Sequence, residues 1–142
     1  MKRVGLILII TLLLTGCFGE AGSGITSKVC TRETAIDNIT LIEQKTLKQR
    51  DNKIISILTI NKIVGKENAT YKSLKNSYLA ESKNLSDLGV ITAVKDDVEG
   101  EYSVSYELDF TSISNDLIER YEIEDLYHEQ LNKYKEEGYK CE

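Results

Sequence analysis

Tyr102-Ser103-Val104-Ser105-Tyr106-Glu107-Leu108-Asp109-Phe110 alternates without a break between apolar and polar side chains. Successive strand residues point to opposite faces, so this nonapeptide carries Tyr102, Val104, Tyr106, Leu108 and Phe110 on one side. Ser103, Ser105, Glu107 and Asp109 take the other. A strand with one apolar and one wet face belongs to an antiparallel sheet packed on a single side.

Upstream of it GVITAVKDD leads through the turn Asp96-Asp97-Val98-Glu99-Gly100, which completes a hairpin. An earlier hairpin is expected from two runs, AIDNITLIEQKTL (35–47) and KIISILTINKIV (53–64), separated by the polar cluster Gln49-Arg50-Asp51-Asn52. In the second run Ile54, Leu58 and Ile60 point one way and Ile55, Ile57 and Ile63 the other. A strand apolar on both sides is expected to be central and covered on both faces.

Between the hairpins the period changes. After Gly65, Tyr71, Leu74, Tyr78 and Leu85 recur at helical spacing, with Asn68 placed to cap the helix start and Gly89 beyond its end. Downstream, Thr111 to Asn115 leaves the sheet, and Ser114 or Asn115 can cap a short helical turn through Arg120. Ile123, Leu126, Tyr127, Leu131 and Tyr134 then define a final amphipathic helix. Glu122, Glu124 and Asp125 suit its N-terminal dipole, and Gly138 suits its left-handed end. The expected order is hairpin, helix, hairpin, helix: an α+β domain with an antiparallel sheet built from two β-hairpins, one helix between them and a C-terminal helix.

The N-terminus has a different composition. Lys2 and Arg3 precede an apolar run from Val4 to Leu14, too short for a membrane span of about 20 residues, and Leu14-Thr15-Gly16-Cys17 follows. Basic start, apolar run and small residues form the layout of a secretory signal peptide. This tetrapeptide, ending in the thiol, resembles the lipobox of bacterial lipoproteins. That resemblance implies removal of residues 1–16, acylation of Cys17 and a lipid anchor on the extracytoplasmic face of the cell membrane. Acyl chains contribute about 0.8 kcal/mol per buried CH₂, so several on one residue hold a protein to the bilayer. FGEAGSGITSKV, 18–29, reads as a flexible tether spanning roughly 20 Å. The expected organisation is a signal peptide 1–16, lipidated Cys17 and tether 17–29, and one domain 30–142.

The chain of 142 residues carries a formal charge of −5, and loss of Lys2 and Arg3 with no acid would leave −7. An acidic balance opposes a phosphate-binding surface, so nucleic acid is excluded as the expected partner. With Cys17 acylated, Cys30 and Cys141 remain. An even number of cysteines in an exported domain reads as a disulfide, the alternative being two buried thiols; two thiols and a distant His128 are a poor metal set.

The whole pattern is similar to the YehR-like family of small bacterial lipoproteins. The likeness covers the lipobox at Cys17, the first hairpin, the helix reaching SKNLSDLGV, the second hairpin ending YELDF, and the closing helix that stops at Gly138-Tyr139-Lys140. Some relatives carry a cysteine before the first strand and another at the C-terminus, which Cys30 and Cys141 would match. The resemblance implies a membrane-anchored extracytoplasmic domain and carries over no functional residue beyond Cys17.

No catalytic, cofactor or metal residue is proposed from the sequence. His128, the single histidine, follows Tyr127 on the last helix, away from its apolar stripe, and reads as solvated, with no local nucleophile to serve. Asp96, Asp97 and Glu99, and Glu122, Glu124 and Asp125, lack the alternating acids and interior glycine of a calcium loop. Tyr71, Tyr78, Tyr102, Tyr106, Tyr127 and Tyr134 fall on predicted buried faces and supply core bulk in a chain with no Trp. The expected function is therefore a non-enzymatic binding or interaction module for an envelope protein or small ligand. The alternatives are an envelope hydrolase assembled from distant residues and a structural, stress-related lipoprotein.

Overall fold

The computed structural model describes residues 24–142; the expected signal segment, Cys17 and most of the expected tether lie outside the described residues. The described chain is α+β. Its strands run β1 (Thr26–Ile36), β2 (Ile39–Arg50), β3 (Lys53–Gly65), β4 (Ile91–Val98), β5 (Glu101–Asp109) and β6 (Lys140–Cys141). Its helices are α1 (Ala69–Asp87), α2 (Asn115–Arg120) and α3 (Tyr127–Glu136). All strand pairs are antiparallel, in the order β4-β5-β3-β2-β1-β6.

The first hairpin is a three-stranded meander, a correction to the expected architecture. Asp37-Asn38 and Asp51-Asn52 both take positive φ, at 47°, 64°, 52° and 61°. Two consecutive left-handed residues make the tight turn whose twist matches paired strands, and Asn and Asp tolerate that conformation best after Gly. AIDNITLIEQKTL is therefore two strands and a turn rather than one strand. The added strand, TSKVCTRETAI, is polar and largely exposed, and it takes in Thr26 to Val29, which the sequence assigned to the tether.

β3 is central, as expected, but the helices cover one face of the sheet only. Ile57, Thr59, Asn61 and Ile63 are buried while Leu58, Ile60, Lys62 and Val64 on the opposite face stay partly open. A bulge opposite Lys48 and Gln49 inserts Ile55 and flips the alternation. Ile54 and Ile57 thus both reach the core, against the expected assignment of faces.

β5 keeps its predicted pattern, with Tyr102, Val104, Tyr106 and Leu108 buried. α1 begins as expected, the side chain of Asn68 accepting from the Tyr71 N–H at 2.8 Å, and packs Tyr71 and Leu85 against β3, β4 and β5. The last helix is shorter than predicted. Glu122 has φ 50°, and Glu122 to Asp125 form a link between α2 and α3. Gly138, at φ 90°, lets the chain turn back so that β6 adds to β1.

Two apolar clusters result. One gathers Ile39, Ile63, Tyr71, Leu85, Tyr102, Val104 and Leu108 under α1; the other gathers Cys30, Leu47, Ile54, Ile57, Leu131 and Tyr134 under α3.

Candidate functional site

Between those clusters the covered face of the sheet is polar. β2 presents Ile39, Leu41, Glu43, Lys45 and Leu47 to the helices, because alternate residues share a face. Its neighbours continue the two middle rows: Arg32, Glu43 and Asn61 in one, Cys30, Lys45, Thr59 and Tyr106 in the other. Polar groups taken from water need partners.

Most have them. Arg32 donates from Nε and Nη2 to Glu43 Oε2 at 2.8 and 2.6 Å, and from Nη1 to the Glu137 carbonyl at 3.0 Å. Its guanidinium lies 4.6 Å from the Tyr139 ring centre, and the Tyr139 hydroxyl donates to Glu43 Oε1 at 3.4 Å. On the α1 side, the hydroxyls of Tyr121 and Tyr106 donate to Glu81 Oε1 at 2.9 and 3.4 Å. Burial pushes the Tyr121 phenol up to about 12, and the phenols of Tyr106, Tyr134 and Tyr139 are also raised, by burial first.

Lys45 is different. Its Nζ sits 5.5 Å from the Tyr134 ring centre and 5.9 Å from that of Tyr139, and among the described residues no carboxylate lies within ion-pair distance. Burial lowers its pKa; Glu43, Glu137 and Glu81 pull it back at longer range, and Arg32 opposes them. The ammonium is held by aromatic faces, a weak substitute for a counterion.

This group lines a cavity of about 250 Å³ between the sheet and the α2–α3 segment. Thr59, Ile57 and Leu108 join Lys45 in the lining from the sheet. Arg120, Tyr121, Lys133, Tyr134 and Tyr139 line it from the other side. Gln130, 1% exposed, locks the wall by accepting the Glu124 N–H at 2.7 Å. A larger hollow of about 640 Å³ lies near the start of β4, but its Lys48 and Glu107 face each other at 3.4 Å and its Asp109 accepts from Thr111. The arrangement around Lys45 offers a cation with no ion-pair partner among the described residues, and aromatic walls.

The residues singled out from the sequence lie elsewhere or serve the fold. Cys30 and Cys141 are disulfide-bonded and directly opposite in β1 and β6. Their neighbours Val29 and Glu142 exchange both backbone hydrogen bonds, at 3.1 and 2.9 Å. The cysteines thus occupy the non-hydrogen-bonded pair, where antiparallel strands come closest. His128 is exposed, accepting at Nδ1 from Asn52 Nδ2 at 2.7 Å, and ties α3 to the β2–β3 turn. Lys75 reaches Asp96 at 2.6 Å, Lys133 lies 3.4 Å from Glu122 and 3.9 Å from Glu124, and no grouping of three or more acid, Cys or His ligands occurs among the described residues. Tyr71, Tyr102, Tyr106 and Tyr134 are core residues, while Tyr78 and Tyr127 are only partly buried.

Lys45, Glu43 and Arg32 were missed as site residues. A signal existed: Glu43 and Lys45 are in phase with Ile39, Leu41 and Leu47, so the period of two already turns them inward.

No family model and no curated protein sequence matches the chain, and no described helix is long and apolar enough to cross a membrane. A protein from Streptococcus pneumoniae TIGR4, solved by NMR, is similar in fold, with 10% identity and a TM-score of 0.56 over 100% of this chain and 94% of that one. At that identity the likeness is one of fold alone.

Proposed function

We propose that this protein is a membrane-anchored extracytoplasmic lipoprotein of the YehR-like kind, acting as a non-enzymatic binding module whose site is the cavity over Lys45. The anchor rests on Lys2, Arg3, the apolar run to Leu14 and Leu14-Thr15-Gly16-Cys17. One observation carries the binding site: an ammonium with no ion-pair partner among the described residues lies in a hollow between two cores. An apolar residue at position 45 would avoid the desolvation cost, and a titratable group perturbed inside a cleft marks a candidate site.

The reading is tested by crosslinking intact cells mildly, solubilising the membranes and capturing the protein. A partner or small ligand should be recovered with the native chain and reduced with the Cys17→Ser variant, which lacks the anchor. Recovery of nothing above that control overturns it.

A further inference from the structure

Resting on that reading, we infer that the Lys45 cavity takes a small ring-bearing carboxylate, a monoanion, with its charged end on Lys45 and Arg120 and its ring against the tyrosines that line the hollow.

Charge selects the anion. Of the three cations lining the cavity, Lys133 is occupied by Glu122 and Glu124 and also donates to the Glu122 carbonyl. Lys45 and Arg120 have no ion-pair partner among the described residues. The remaining carboxylate of the lining is Glu137. Among the residues that line the hollow, these three cations face two carboxylates, Glu122 and Glu137, so the lining is short of one negative charge. A monoanion closes that balance. A phosphate dianion would overshoot it against Glu137, and the lining has no glycine-rich loop to supply the backbone N–H groups that phosphate sites use.

Desolvation supplies affinity. An ammonium partly withdrawn from water and close to ring faces gains more from an incoming carboxylate than a fully exposed lysine does, because the interaction is less screened. Size and shape follow from the lining. A hollow of about 250 Å³ lies just below the range of sites for drug-sized ligands and suits a single substituted ring. Tyr121, Tyr134 and Tyr139 line the hollow, and aromatic faces pack well on another ring. Thr59, directly across from Lys45 on β3, contributes to the polar floor.

The test titrates the full chain in detergent with benzoate, benzamide and inorganic phosphate, following the Lys45 side-chain and Tyr134 and Tyr139 ring signals by NMR. Benzoate should shift all three residues and bind at least tenfold more tightly than benzamide or phosphate. Lys45→Met should lose at least tenfold in benzoate affinity, and Arg120→Gln, at an exposed position, should weaken it severalfold with the fold unchanged. Equal binding of benzamide, tighter binding of phosphate, undiminished binding by Lys45→Met, or no shift at Lys45 with benzoate would each overturn the inference. Those failures leave membrane capture of a partner intact, whereas absence of capture with benzoate bound at Lys45 would overturn the broader reading and keep this one.

Discussion

Replacing both Cys30 and Cys141 by Ala should cost this domain several kcal/mol, and the structure sets the size. The bond joins residues 111 apart in sequence. Cross-linking so long a loop removes unfolded-chain entropy worth about 4.8 kcal/mol at 25 °C in the loop-closure model. The native side adds a local effect. β6 has only two residues, its ladder to β1 rests on the Cys30 and Thr31 registers, and Cys30 is 0% exposed within the second core. Without the bond the C-terminus is held by Tyr139 packing and the Val29–Glu142 hydrogen bonds. Urea unfolding followed by circular dichroism measures the loss. With a slope of about 1.5 kcal/mol/M, the midpoint should fall by about 3 M, and the slope itself should rise because the uncrosslinked denatured chain exposes more surface. A midpoint change below about 0.5 M, or free alkylation of both thiols in the native protein without reductant, refutes the reasoning.

All eight tyrosines have phenols raised above their ordinary value by burial. Their folded pKa values lie above the unfolded one, so the stability they carry is complete below about pH 10 and is lost as pH rises beyond it. Absorbance at 295 nm should show little phenolate at pH 10 and then a cooperative rise with unfolding; gradual ionisation with an unchanged circular-dichroism spectrum would contradict this. Gly65→Ala should destabilise by about 1–3 kcal/mol and lower Tm by several degrees, because at φ 142° the new Cβ would stand 2.8 Å from the Asn38 carbonyl oxygen; an unchanged Tm argues against the strain. Cys17→Ser should move the protein from the membrane to the soluble extracytoplasmic fraction, and mass spectrometry of the wild type should show a fatty-acylated Cys17 as first residue. An intact Met1 in the native species counts against the anchor.

Local periodicity determined most of the elements. Strict alternation from Tyr102 to Phe110 and three- and four-residue steps from Tyr71 to Leu85 are consequences of backbone geometry, so β5 and α1 were legible from the residues themselves. β1 was not, since Thr, Ser, Lys and Glu give it little apolar signal and its edge pairing is imposed by the neighbouring strand. Asp37-Asn38 was the readable clue, a repeat of the Asp51-Asn52 turn. The start of α3 was also misplaced, because acids at 122–125 suit a helix start equally well as a link.

Residue composition determined the acidic balance, and residue type and spacing determined the alternation of β5 and the helical stripe of α1, which depend on neighbours within a few positions. Only the tertiary structure decided that Arg32, Glu43, Lys45 and Thr59, from three strands, form one polar band, and that Tyr134 and Tyr139 close over it. Strand order and the return of the chain at Gly138 bring those groups together, and the desolvation that makes Lys45 unusual exists only once they have met.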